Sequence, residues 1–195
     1  MAELRQFPAK RRVALVMPAA ALVGVPLMTM LPALTLRLGL SAGPIFASIP
    51  LSLPTFMLFG LSLGQILGPM IATRSIVDSV SSSRFSPQIS LIIFISFYAI
   101  GLGSGRLEVA FPSIVAAHIS TNILWTYAFV LMQTTFSERE IGAVFALQSE
   151  LITTIYLVGS LLSGAILDIF GPVGVYAMSS IALLILTGAA TFRRR

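Results

Sequence analysis

The sequence predicts an all-α membrane protein with six transmembrane helices, and three observations support this prediction. Of the 195 residues, 56% are hydrophobic and only 10% are charged, whereas soluble domains carry about a quarter charged residues. Several apolar stretches approach or exceed the ~20 residues that cross a bilayer core as a helix. No stretch alternates polar with apolar residues, so helices rather than barrel strands are expected to satisfy the buried backbone. A soluble enzyme and a DNA-binding domain are excluded.

Six apolar stretches meet this length criterion or nearly meet it, and each is predicted to form one span. They are residues 13–35, 44–71, 89–105, 109–133, 142–167 and 172–192. Residues 72–88 are polar and rich in serine, which predicts a cytoplasmic loop between the second and third spans. The other connections are short, so residues 1–195 are predicted to form a single six-helix bundle.

Positive charges are divided unevenly between the two sides of the predicted bundle. Six spans place both termini on one side, and all of the 12 Lys and Arg residues except Arg37 and Arg106 fall on that side. Because Lys and Arg accumulate in cytoplasmic loops, both termini are predicted to be cytoplasmic, with the protein in the cell (inner) membrane. Membrane lipid is therefore a predicted partner, and the basic balance indicates no nucleic acid.

An internal repeat occurs at an offset of 99 residues. The segments Gly43–Leu63 and Gly142–Leu162 are identical at seven of 21 aligned positions. The predicted second and fifth spans, which contain these segments, cross the membrane in opposite directions. Three helices repeated in inverted orientation are the plan of many secondary transporters, with the substrate site near the membrane midplane. The sequence therefore predicts three-plus-three inverted repeats.

Three glycines, Gly60, Gly64 and Gly68, recur every four residues in the second predicted span. This spacing places them on one helix face, which a neighbouring helix can approach closely. We interpret this face as a packing surface within the bundle. A specific dimer interface is the alternative.

Short motifs in the second half of the chain match a pattern found in known transporters. A charged loop, Ser137–Glu140, precedes the run Gly142–Leu147, and Gly164–Gly171 follows the pattern G-x-x-x-D-x-x-G. These motifs resemble the last third of a major facilitator superfamily (MFS) transporter of the efflux type. Upstream, Leu31–Ala33 and Leu38–Ser41 resemble the passage between the seventh and eighth helices of that family.

The resemblance implies that this chain corresponds to the C-terminal six-helix half of a twelve-helix transporter. It further implies movement of a small solute by alternating access, with ion-coupled efflux. The implied partner is a second, N-terminal-like six-helix half or a copy of this chain. Ile141 and Ala143 flank Gly142 where many relatives carry arginines, so gating by those arginines is not implied. A non-transporting membrane scaffold or fragment is the alternative function.

The fourth predicted span carries a polar stripe. His118, Thr121, Asn122 and Trp125 stand at positions i, i+3, i+4 and i+7, which share one helix face. Polar groups on an apolar span are expected to face protein or water rather than lipid. We interpret the stripe as substrate-contacting, with Trp125 stacking on the solute. Hydrogen bonding between helices by the same side chains is the alternative.

Glu150 is the acidic residue that falls well inside a predicted span. An ionised carboxylate in the bilayer is costly, so we expect Glu150 to be paired, protonated or in contact with water. We interpret it as a carboxylate that couples transport to protons or cations. Contact with water at the inner leaflet is the alternative.

An intramembrane serine protease is a further, less favoured interpretation. Such an enzyme needs a serine after a glycine turn and a histidine on a facing helix, which Ser104 and His118 imitate. Leu102 occupies the position where the motif requires glycine, and so we predict no enzyme. The chain has no cysteine, and no cofactor or metal motif is present. Lesser candidates for substrate contact are Met28, Met30, Gln65, Gln133, Gln148 and Tyr156.

Overall fold

The computed structural model describes residues 8–41, 51–79 and 87–192, with side chains described over 10–41, 51–72 and 87–187. These ranges form no strand, as the all-α prediction requires, and five helical elements rather than the predicted six, because the predicted spans 142–167 and 172–192 lie in one element. The elements are α1 (Pro8–Arg37), α2 (Leu53–Ser79), α3 (Pro87–Gly103), α4 (Leu107–Thr135) and α5 (Glu138–Phe192). Ser41 and Arg106 form an isolated bridge beside α4.

The second helix differs from its predicted span at both ends. It begins at Leu53 rather than at residue 44, and residues 44–50 lie outside the described ranges. Pro54 is tolerated in the first turn, because backbone N–H groups at that position have no acceptor within the helix. The backbone N–H of Thr55 donates to Ser52 Oγ at 3.4 Å, so Ser52 caps the helix. The helix continues to Ser79, and α3 begins at Pro87. The predicted loop 72–88 is therefore helical at both ends.

The last element, α5, reverses direction at Gly171. This glycine has φ 67° and ψ −164°, a conformation that interrupts the helix. Ser163 Oγ lies 3.7 Å from Met178 Sδ, although a straight helix would separate these residues by about 22 Å. Residues 138–170 (the first arm) and 172–192 (the second arm) are therefore antiparallel. The turn falls between the predicted spans 142–167 and 172–192.

Helix α1 and the first arm of α5 lie side by side and point the same way. At one end Lys10 Nζ donates to Glu140 Oε1 at 2.6 Å. At the other end the Arg37 guanidinium donates to the Leu167 carbonyl oxygen at 2.7 Å and pairs with Asp168. Because the contacts advance along both helices in the same order, the two helices are parallel. We call the end with Lys10 the basic end and the end with Arg37 the distal end.

Helices α2 and α4 form a second parallel pair. Successive glycines of α2 lie against successive turns of α4. Gly60, Gly64 and Gly68 contact Phe111, His118 and Asn122, in that order. A Cβ added to Gly64 would lie 2.5 Å from His118 Cβ, closer than van der Waals contact allows. The glycine face is thus a packing surface inside the bundle, and that interpretation is confirmed.

Four helical segments are long and apolar enough to cross a membrane. They are Lys10–Arg37, Leu53–Ala72, Leu107–Thr135 and Glu138–Thr187, the last of which contains the turn at Gly171; Pro87–Gly103 is a shorter apolar helix. Large apolar side chains such as Leu161, Ile169 and Leu184 are at least two-thirds exposed on the outer surface. These features are consistent with an integral membrane protein.

We expect the substitution Gly64→Ala to destabilise the bundle by about 1–3 kcal/mol, because the added methyl overlaps His118 Cβ and the Val115 carbonyl oxygen. The midpoint of thermal unfolding in detergent should fall accordingly. Gly164→Ala is the matched control, since no atom lies within 4 Å of its added Cβ. Equal midpoints for the two variants would contradict the close α2–α4 contact.

We expect Ser163→Cys combined with Met178→Cys to form an intramolecular disulfide on mild oxidation, because the reversal at Gly171 brings these side chains together. The natural chain has no cysteine, so protection from a thiol-reactive maleimide reports this bond alone. Ser149→Cys with Met178→Cys is the control, since residue 149 lies about 21 Å along the helix from residue 163. Full maleimide labelling of the first pair would contradict antiparallel arms.

Candidate functional site

The polar stripe of α4 begins with a fully buried histidine. His118 Nε2 lies 2.8 Å from the Tyr98 hydroxyl of α3, and the ring packs edge-on against Phe94. Its Nδ1 atom has no hydrogen-bond partner among the described residues. The backbone of Gly64 covers the other side of His118. His118 therefore joins α2, α3 and α4 at one point.

The other three residues of the stripe make different contacts. Thr121 and Asn122 donate to carbonyl oxygens of their own helix, including that of His118. Trp125 is half-buried and packs with Ala14 and Met17 of α1 in an apolar cluster. Two cavities of the described chain, a cleft and a groove, are lined by other residues. The substrate-contacting role of the stripe stays a prediction.

A cleft of about 800 Å³ opens at the basic end of the bundle. Glu150 is exposed in this cleft, together with Lys10, Arg139 and Glu140. The apolar part of the lining comes mainly from α5. It consists of Phe136, Ala143, Val144, Ala146 and Leu147. The structure thus places Glu150 in a concave, mixed-charge site, apart from the contacts of the polar stripe.

Two charges of the cleft neutralise each other. Lys10 Nζ lies 2.6 Å from one oxygen of the Glu140 carboxylate and 2.8 Å from the other. Glu140 also accepts hydrogen bonds from the Ser137 backbone N–H and hydroxyl, which is a capping box at the start of α5. Hydrogen bonds from Lys10, and then from Ser137, lower the pKa of Glu140 to about 2. The carboxylate therefore remains ionised and committed to Lys10.

Sequence reasoning missed Tyr98, which holds the stripe histidine, and the pairing of Lys10 with Glu140. Tyr98 carries no local signal, since it stands 20 residues from His118 on another helix. The spacing Ser137-x-x-Glu140 was a readable capping signal, but its link to Lys10 spans 130 residues. Gln148, a lesser candidate, is buried and donates to the Ala14 carbonyl oxygen at 2.6 Å.

Ser104 and His118 do not contact each other. The Ser104 hydroxyl donates to the Gly101 carbonyl oxygen at 2.7 Å, in an exposed turn at the distal end. His118 Nε2 is engaged by Tyr98 instead. Across the part of the chain that the structure describes, no group of three His, Asp or Glu side chains is placed to hold a metal ion.

We expect Tyr98→Phe to destabilise the protein by about 1–3 kcal/mol, because it leaves the buried Nε2 of His118 without its partner. Thermal unfolding in detergent measures the change. Tyr156→Phe is the control, since that hydroxyl has only a 4.0 Å contact with Met28 Sδ. The double variant Tyr98→Phe, His118→Leu should lose less unfolding free energy than the sum of the losses in the two single variants. Strict additivity would contradict a direct bond.

No protein-family model, no curated protein and no solved structure matches this chain. The resemblance to the MFS stays a prediction from short motifs. The candidate site is therefore described by its own residues: the cleft around Glu150, and the buried junction of His118 with Tyr98.

Proposed function

We propose that this chain is one half of a secondary active transporter that moves a small solute by alternating access, in ion-coupled efflux. The partner is a second six-helix half or a copy of the chain. The observation that carries the proposal is the pairing of helices. Two parallel pairs, α1 with the first arm of α5 and α2 with α4, hold the described residues together.

This pairing supports an inverted repeat. If α1 to α3 form one trio and α4 with the two arms of α5 the other, the first helix of each trio packs on the second helix of the other. Exchanging the trios exchanges the two pairs, as a twofold axis in the membrane plane would do. Gly159 lies against Val25 of α1 much as Gly68 lies against Asn122 of α4.

Matching Gly159 with Gly68 aligns the two proposed trios differently from the 99-residue offset of the sequence repeat. The offset of 99 aligns Leu53, the first residue of α2, with Ile152, which lies well inside the first arm. Matching Gly68 with Gly159 aligns the helices by their contacts instead.

The position of Glu150 supports a role in coupling. It is exposed on the first arm, within the predicted span 142–167, where contact of a carboxylate with lipid is costly. A water-filled path or a partner half relieves that cost, and either environment suits a group that exchanges a cation. The basic end also carries Arg11 and Arg12, which supports a cytoplasmic position for this end.

We expect Glu150→Gln to abolish gradient-driven transport, because the neutral amide cannot bind and release a proton. The full chain is reconstituted in vesicles under an imposed pH gradient. Uptake of radiolabelled phenylalanine, glycine betaine and carnitine, three zwitterions that cross a bare bilayer poorly and suit a mixed-charge cleft, is then measured against protein-free vesicles. Glu108→Gln, a conservative change at the distal end, should leave transport intact.

Unchanged gradient-driven uptake in Glu150→Gln would remove the coupling role. If the wild-type chain, folded and self-associated, accumulates none of the three probes, the non-transporting scaffold becomes the better interpretation. If uptake requires co-reconstitution with a second six-helix chain, the half-transporter proposal is supported.

A further inference from the structure

The cleft at the basic end contains two charges that have no ion pair within the described residues. Lys10 and Glu140 bind each other. Arg139 and Glu150 both line the cleft and make no salt bridge there. The groups of the cleft without an ion pair are therefore one guanidinium and one carboxylate. Neither a simple anion nor a simple cation would neutralise both groups.

The spacing of these two residues prevents them from pairing with each other. They are separated by 11 residues on the first arm, which places them on the same helix face about 16 Å apart. Ala143, Ala146 and Leu147 line the cleft between them. A ligand that satisfies both charges must carry an anion and a cation, together with an apolar surface.

We infer that this cleft binds a zwitterionic amphiphile, with its anionic group at Arg139 and its ammonium group at Glu150. The volume of about 800 Å³ lies within the ~300–1,000 Å³ of small-molecule sites, which combine apolar walls with a few polar groups. Guanidinium and carboxylate each form charge-assisted hydrogen bonds with such a ligand. For its identification as the transported solute, the inference rests on the proposed function.

The order of the charges distinguishes two sources of ligand. Arg139 stands in the first turn of α5 at the basic end, and Glu150 lies three turns deeper. The deeper group of the ligand is therefore the ammonium, and the anion lies toward the surface. A phospholipid of the adjacent leaflet has the reverse order, because its phosphate is attached to the lipid tails and its ammonium points outward. The geometry favours a free betaine-type solute, whose apolar chain is attached to the ammonium.

Four probes with the same dodecyl chain test this inference on the full chain in dodecyl maltoside micelles. They are a sulfobetaine, with the chain on the ammonium; a phosphocholine, with the chain on the phosphate; dodecyltrimethylammonium; and dodecyl sulfate. Native mass spectrometry measures the bound fraction. Emission of Trp125, the single Trp, gives a second readout because Trp125 and Val144 share an apolar cluster.

We expect the sulfobetaine to bind most tightly, and Arg139→Gln and Glu150→Gln each to weaken it roughly tenfold, as one lost charge-assisted hydrogen bond implies. Arg139→Gln should shift the preference toward dodecyltrimethylammonium, and Glu150→Gln should shift it toward dodecyl sulfate. Arg106→Gln and Glu108→Gln remove the same two charge types at the distal end and should change nothing. Unaltered unfolding midpoints establish that the variants are folded.

Three outcomes would overturn the inference. Equal binding of all four probes would mean that the cleft does not discriminate between ligands by their charge. If Arg139→Gln and Glu150→Gln both leave the affinity for the sulfobetaine unchanged, the ligand binds outside this cleft. Tighter binding of the phosphocholine would replace the free solute by a lipid headgroup. Because binding needs neither a gradient nor a partner, transport without binding overturns this inference alone, whereas binding without transport overturns only the proposed function.

Discussion

The close approach of α2 to α4 at Gly64 is the contact on which the described bundle depends. The missing side chain lets the α2 backbone lie directly on His118. His118 in turn binds the hydroxyl of Tyr98 on α3. The carbonyl oxygen of Tyr98 accepts a hydrogen bond from the Tyr176 hydroxyl, on the second arm of α5, at 3.1 Å. One glycine thus begins a chain of contacts that reaches four elements.

In lipid, where apolar burial gives little drive for helices to associate, such specific contacts matter more than in water. The second parallel pair uses different means. Ionic contacts at its two ends, Lys10 with Glu140 and Arg37 with Asp168, hold α1 to the first arm of α5. Held in these different ways, the two pairs join the two trios into one body, which suits a chain that is proposed to move as a unit against a second half.

The all-helical class and most helix positions could be predicted from the sequence, because apolar length is a local property. The predicted packing role of Gly60, Gly64 and Gly68 is borne out for the same reason: their spacing alone defines a face. The start of α2 at Leu53 was missed because hydropathy alone does not locate a helix end within an apolar stretch. The capping residue Ser52, with Pro54 beside it, was the available signal.

The candidate site was less predictable, since it depends on which helix faces meet. The spacing of the stripe placed His118, Thr121 and Asn122 on one face but could not supply Tyr98, which comes from another helix. Glu150 was recognised because a carboxylate in an apolar span stands out. Lys10 neutralises Glu140 through a contact across 130 residues, which no local pattern reveals. This pairing leaves Arg139 and Glu150 as the charges of the cleft without an ion pair among the described residues.

The single-residue reversal at Gly171 has a consequence for biosynthesis. The two arms of α5 are joined without any polar linker, so no hydrophilic stretch is present to hold one arm at the surface while the other enters the membrane. A half-inserted intermediate would leave an apolar arm in water. The two arms therefore suit entry into a bilayer together, as one hairpin, and the charged side chain beside the bend, Asp168, is paired with Arg37 of α1.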